Sequence, residues 1–183
     1  MDSLYIDKVL LGDRHAFRYF ITTYKDMAFS VALSLVKTEH LAEEVTQEAF
    51  LQAYLSLPNF KKQSKFSTWL YRIVVHCAYK TMQKKSIEMV SFEMETHDIL
   101  FEEDAINNLL QVEQRQIINE ALIRIPPNES LALRLFYLEE LTIQELCEIT
   151  GWTTANTKVL LFRARKSMYM SLNNLIKGTY YGT

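Results

Sequence analysis

Apolar positions recur at spacings of three and four along most of this 183-residue chain, the period of a helix with one buried face. Residues 2–11 predict a short helix carrying Leu4, Val9 and Leu11, and Asp13 is placed to cap the next one. From His15 to Lys37 the repeat runs through Phe17, Phe20, Ile21, Tyr24, Met27, Ala28, Val31 and Leu35. From Glu39 to Leu57 it runs through Leu41, Ala42, Val45, Ala49, Phe50, Ala53, Tyr54 and Leu57, and Pro58 ends it because proline has no amide to donate. Ser67 or Thr68 is positioned to cap a helix reaching about Lys85, with Trp69, Leu70, Ile73, Val74, Cys77 and Ala78 as its buried stripe. Gln111 to Arg124 is a further helix stopped by Pro126 and Pro127, and Asn128 can cap Glu129 to Leu138. Thr142 to Lys166 reads as two helices joined at Gly151, where a tight turn needs a residue tolerant of positive φ. Leu146 and Ile149 face inward on the first, and Thr153 or Thr154 caps the second. Trp152, Thr157, Leu160, Leu161 and Ala164 are the second helix's packing positions.

The periodicity lapses between residues 86 and 105, although Met89, Val90, Phe92, Met94, Ile99, Leu100 and Phe101 are apolar for a spacer. The predicted architecture is all-α: a helical domain over 1–87, an acidic linker over 88–110, a helix-turn-helix domain over 111–177 and a tail over 178–183 that frays. Only 4 Gly and 3 Pro argue against barrels, parallel sheets and Gly-rich phosphate loops.

The net charge of −2 conceals a strong segregation. Residues 58–87 carry Lys61, Lys62, Lys65, Arg72, Lys80, Lys84 and Lys85 with no acidic side chain. Residues 88–113 carry acids only, and residues 150–177 bases only. Basic groups interleaved with Phe60, Phe66 and Tyr79 suit a single strand, whose bases stack on rings while cations meet phosphates. For Trp69 core packing is the better reading, and for Phe60 burial and stacking stay open. The second helix of the 142–166 unit carries Thr154, Asn156, Lys158, Arg163, Arg165 and Lys166 and can enter a major groove. A bundle hairpin with solvated charges accounts for that unit equally well when it is read alone. Glu43, Glu44 and Glu48 lie close on one helix, but no neighbouring His completes a dimetal set. His15, His40 and His97 show no ligand spacing with His76, so neither metal, cofactor nor enzymatic chemistry is expected. Cys77 and Cys147 form no paired motif, no apolar run approaches bilayer length, and the acidic first residues resemble no secretory signal.

Taken in order, AEEVTQEAF at 42–50, FSTWLYRIVVHCAY at 66–79, LIRIPPNESLALRLFYLEELTIQELCEITGW and RARKSM resemble the extracytoplasmic-function sigma factors of the bacterial sigma-70 family. The resemblance implies a promoter-specificity subunit of RNA polymerase. Glu43, Glu44, Gln47 and Glu48 would meet the clamp helices of the core enzyme. Asn59, Phe60, Lys61, Lys62, Gln63 and Lys65 would lie in the loop that captures an unstacked −10 base, with Arg72, His76, Tyr79 and Lys80 on the helix beside it. Thr154, Asn156, Lys158, Arg163, Arg165 and Lys166 would serve the −35 element as duplex. Implied partners are core polymerase, promoter DNA and an anti-sigma factor; the implied location is the cytoplasm, where such a factor can hold the protein at the inner membrane.

The chain departs from the family pattern at His76, where Asn is usual, and at Lys80, often Asp. Cys147 stands where Ala is common, Ala155–Asn156–Thr157 where Gly-Thr-Val is common, and Leu160 where Arg is common. Two other functions compete. A stand-alone helix-turn-helix regulator explains 142–166 but gives the loop near residue 60 no task. A helical adaptor leaves both basic blocks unexplained.

Overall fold

The computed structural model describes residues 1–88 and 109–181. All regular elements among them are helical: α1 (Asp2–Leu10), α2 (Arg18–Val36), α3 (Glu39–Ser56), α4 (Phe66–Glu88), α5 (Leu109–Arg124), α6 (Pro127–Leu133), α7 (Ile143–Thr150) and α8 (Thr154–Tyr181). The central part of the linker, with its apolar residues, and the last two residues of the tail lie outside the described residues. Helix α8 runs past Gly178 to Tyr181.

Helices α2, α3 and α4 pack against one another around Phe20, Val31, Leu35, Val45, Leu70 and Val74, all fully buried. Asp13 caps a short 3-10 turn (Arg14–Phe17) by accepting from the Ala16 amide at 3.2 Å, and α2 follows directly. Lys37 closes α2 in a left-handed conformation, φ 65°, with its amide on the Leu33 carbonyl. Helix α3 ends at Ser56, and the chain passes into a 3-10 turn (Leu57–Asn59) that contains Pro58. Helix α1 is tied across α2 by Asp2, whose carboxylate accepts from Tyr19 at 2.9 Å and Tyr24 at 2.7 Å. Burial and that carboxylate hold the Tyr24 phenol well above its ordinary range.

Two expected caps fall elsewhere. Helix α4 starts at Phe66 itself, because that ring is buried between Phe20 and Trp69 and fixes the entry of the chain. Ser67 and Thr68 therefore sit inside the first turn. Helix α6 starts at Pro127, whose fixed φ suits the first helical position and whose missing amide costs nothing there. Asn128 is thus one residue inside the helix, and its side-chain oxygen accepts from Tyr79 of α4 at 3.0 Å. A π turn (Arg134–Leu138) continues α6.

The C-terminal helices pack on the N-terminal ones. Leu131, Leu135, Leu146 and Ile149 join the same buried cluster as the α2–α4 core. Arg134 is buried; its Nε donates to Ser34 Oγ at 2.9 Å and its terminal nitrogen to Asn119 at 2.9 Å. Lys37 Nζ donates to the Leu122 carbonyl in the last turn of α5 at 2.8 Å, where helix carbonyls carry partial negative charge. Burial, and secondarily the Arg134 guanidinium, push Lys37 down to about 7 from its ordinary 10.5. A base depressed in the folded state favours folding above its unfolded pKa and loses that contribution as pH falls through its folded one. Unfolding by urea should therefore show stability rising between about pH 7 and pH 9, by at most ~1.4 kcal/mol per unit. Lys37→Met should flatten that rise; an equal rise in the variant would assign it to other groups.

Candidate nucleic-acid interface

The loop after α3 is set by its aromatics. Phe60 turns inward, its ring centroid 4.9 Å from Trp69 and 6.1 Å from Phe66. The ring is half-buried in the aromatic cluster and holds the loop's base. Trp69 packs there too, as its periodicity implies. Asn59, Lys61, Lys62, Gln63 and Lys65 are exposed around that anchor. Lys62 adopts φ 54° and pairs with Asp7 of α1 at 2.7 Å. Both partners are about half exposed, so the pair is weak and open to competition from a phosphate.

On α4, Arg72, His76 and Lys80 follow at intervals of four and form one exposed stripe. With Glu48, Gln52 and Ser56 of α3 they line a groove of about 400 Å³. Tyr79 lies off this stripe and faces Asn128. Arg72 Nε also donates to the Glu148 carbonyl at 3.0 Å.

The four polar residues read on α3 do not share one environment. Glu43 and Glu44 are exposed, and His40 lies 3.3 Å from Glu44. Glu48 accepts from Gln52 at 2.9 Å and borders the basic groove, whereas Gln47 borders a second, apolar groove with Phe17, Ile21, Phe50, Leu51 and Tyr54. Leu51 and Leu55 are exposed at 52% and 61%, so the outward stripe of α3 is acidic at one end and apolar at the other. Sequence periodicity missed this end because Leu51 and Leu55 fall between the buried positions.

The 142–166 unit is built as its sequence implies. Thr142 and Glu145 form a reciprocal capping box, with Glu145 accepting from the Thr142 amide at 2.9 Å and hydroxyl at 2.8 Å. Those bonds hold the Glu145 carboxyl below its usual range. Gly151 turns the chain at φ 74°. Thr153 Oγ1 accepts from the Asn156 amide at 3.2 Å and caps α8. Thr157, Leu161 and Ala164 are buried, leaving Thr154, Asn156, Lys158, Arg163, Arg165 and Lys166 exposed. Arg165 is engaged at the far end of the unit, where its Nε donates to the Tyr137 hydroxyl at 2.7 Å. Val159 and Phe162 are exposed between the polar positions, the latter at 70%. Apolar groups on such a helix can meet the methyl of thymine.

Arg165 also borders an apolar groove of about 390 Å³ with Ile118, Leu133, Tyr137, Leu138 and Tyr169. No cluster of His, Cys, Asp or Glu able to hold a metal occurs among the described residues. Among them, no helix is long and apolar enough to cross a membrane.

Two family models match the chain in order: sigma-70 region 2 over residues 20–87 and sigma-70 region 4 over residues 115–168. The chain belongs to the extracytoplasmic-function sigma factors of the sigma-70 family. It is 28% identical to the ECF RNA polymerase sigma factor SigW of Bacillus subtilis, over 93% of this chain and 96% of that one. It is 30% identical to SigM of the same organism, over 79% and 88%. Among solved structures, the fold is similar to that of the sigma factor RpoE of Bartonella quintana, solved in complex with the anti-sigma factor NepR. The TM-score is 0.70 at 21% identity, covering 86% of this chain and 96% of that one.

Proposed function

We propose that the protein is a promoter-specificity subunit of bacterial RNA polymerase. It binds the core enzyme through α3, holds the opened −10 strand with the 59–65 loop and α4, and reads the −35 duplex with α8. The observation that supports this best is the coexistence, in family order, of three surfaces on one chain: an acidic and apolar protein-docking stripe, a basic single-strand surface and a helix-turn-helix. A stand-alone regulator needs only the third.

The chemistry of polymerisation belongs to the partner enzyme; this chain divides positioning from discrimination. Phosphate contacts set register, and base-edge contacts select sequence. Displacing a −10 base costs a few kcal/mol of stacking, which new contacts in the loop offset. Asn59 and Gln63 are exposed amides able to hydrogen-bond such a base, and Lys61, Lys62 and Lys65 supply charge for the strand. An anti-sigma factor is the regulatory partner this family membership suggests.

Duplex reading is tested on α8. Asn156, early in the helix and exposed, should face a base edge, and Asn156→Ala should change the preferred −35 sequence at a cost of roughly 1–3 kcal/mol if its contact is bidentate. Arg163 is exposed and Arg165 is held by Tyr137, so Arg163→Ala should weaken all sequences alike and shallow the salt slope by about 0.9. A footprint that avoids −35, or the reverse pattern of effects, rejects this assignment.

A further inference from the structure

Helix α1 has no task in the promoter reading, yet it is fastened beside the −10 loop. Asp2 accepts from both Tyr19 and Tyr24 of α2. The Tyr5 ring lies flat on that of Tyr19, with centroids 4.0 Å apart. Ile6 is buried in the core, and Val9 packs against it. Positions 2, 5, 6 and 9 thus form one face turned to the bundle. The helix also touches the 3-10 turn at Leu57–Asn59, from which the loop departs. Asp7 falls off the packed face and is exposed, and its carboxylate accepts from Lys62 Nζ at 2.7 Å. Lys62 itself stands at φ 54°, a left-handed conformation that is costly for any residue with a Cβ. A lysine leaves that conformation unless something holds it. The loop therefore has two anchors, two residues apart. The Phe60 ring is packed on Trp69 of α4, and the Lys62 ammonium is paired with Asp7 of α1. Lys61 and Gln63 flank the second anchor with their side chains exposed. The turn at Lys62 sets the direction in which the chain continues, and so where the Gln63 amide points.

We propose that Asp7 is a positioning residue for −10 base selection: through Lys62 it fixes the left-handed turn that aims Gln63, so that α1 sets how strictly the loop chooses its base. The proposal rests on the −10 reading of the loop given above. Asp7 is an unsuitable strand contact itself, because a carboxylate repels phosphate. Its effect on the strand passes through the conformation of the loop. An ammonium has three hydrogens, so Lys62 can keep Asp7 and still offer one to a phosphate. A base that needs the aimed loop binds with an apparent affinity reduced by the fraction of loops that hold that shape. The two consequences of losing Asp7 therefore have opposite signs. Removing an acid beside a basic surface favours every strand alike. Releasing the turn disfavours the preferred base alone.

The test uses the full chain in complex with core polymerase and a randomised pool of short single-stranded DNA. The bound fraction is sequenced and scored against core polymerase alone, and total binding is measured at the same low salt. Wild type should enrich a preferred base. Asp7→Ala should lower that enrichment about two- to fivefold, the range that a half-exposed ion pair can supply, while total binding holds or rises. Asp7→Ala combined with Lys62→Gly should recover the enrichment, because glycine takes the left-handed turn without a tether. Total binding should then fall, since a cation has gone. General damage to α1 would not be repaired by a change in the loop. Equal enrichment in wild type and Asp7→Ala overturns the proposal and leaves the −10 reading standing. So does a lost enrichment that Lys62→Gly fails to restore. A wild type that enriches no base removes the −10 reading of the loop, and the role of Asp7 falls with it.

Discussion

Reversing Glu44 and Glu48 to Lys together should lower affinity for core polymerase on the order of 100-fold, by placing two cations where the partner is expected to present cations of its own. The fold should not notice. Both side chains are exposed, and the contact between Glu44 and His40 lies on the surface, where such pairs contribute little. Glu48 loses only its bond from Gln52. Circular dichroism and the melting midpoint should match wild type, which separates a binding defect from an unfolding one. Leu51→Asp, at the apolar end of the same stripe, should weaken core binding without the salt dependence of the charge reversal. Core affinity unchanged in both variants would move the polymerase site off α3.

The second large effect belongs to the loop. Lys61, Lys62 and Lys65 are exposed; Lys62 pairs with the surface carboxylate of Asp7, and the Lys65 charge acts on Glu145. If all three meet the displaced strand, their replacement by Ala should reduce the slope of log affinity against log salt by about 2 for single-stranded DNA. The loss should be largest at low salt, roughly 10–100-fold, and should shrink as salt rises. Duplex binding through α8 should change little. The loop itself should survive, because its shape rests on Phe60 packed against Trp69 rather than on the lysines. A slope unchanged by the triple substitution would mean that the strand passes elsewhere.

Much of this was legible in the sequence wherever structure is local. Gly151, the Thr153 cap and the buried Thr157, Leu161 and Ala164 all follow from spacing within a few residues. The ends of α4 and α6 were less legible because neighbours compete. The Phe66 ring overrode Ser67 and Thr68, and Pro127 took the first helical position ahead of Asn128. The contact between the N- and C-terminal helices was not legible at all. The half-buried Lys37 meets a carbonyl 85 residues away and the buried Arg134 a hydroxyl 100 residues away, and nothing near either residue signals such a partner. Leu131 and Leu146 join a buried cluster with α2 and α4, a contact that no local pattern in either half announces. Phe60 shows the same limit at a site: nothing in the sequence announces its contact with Trp69, which packing alone supplies.

Permanganate reactivity of thymines in a promoter complex, assembled from this protein and core polymerase, tests the central claim most directly. Wild type should make thymines near the start site reactive, and the Lys61, Lys62, Lys65 triple variant should make them less so even when it binds core normally. A wild-type protein that binds duplex DNA, yet neither joins core polymerase nor yields reactive thymines, would contradict the account and leave a stand-alone helix-turn-helix regulator in its place.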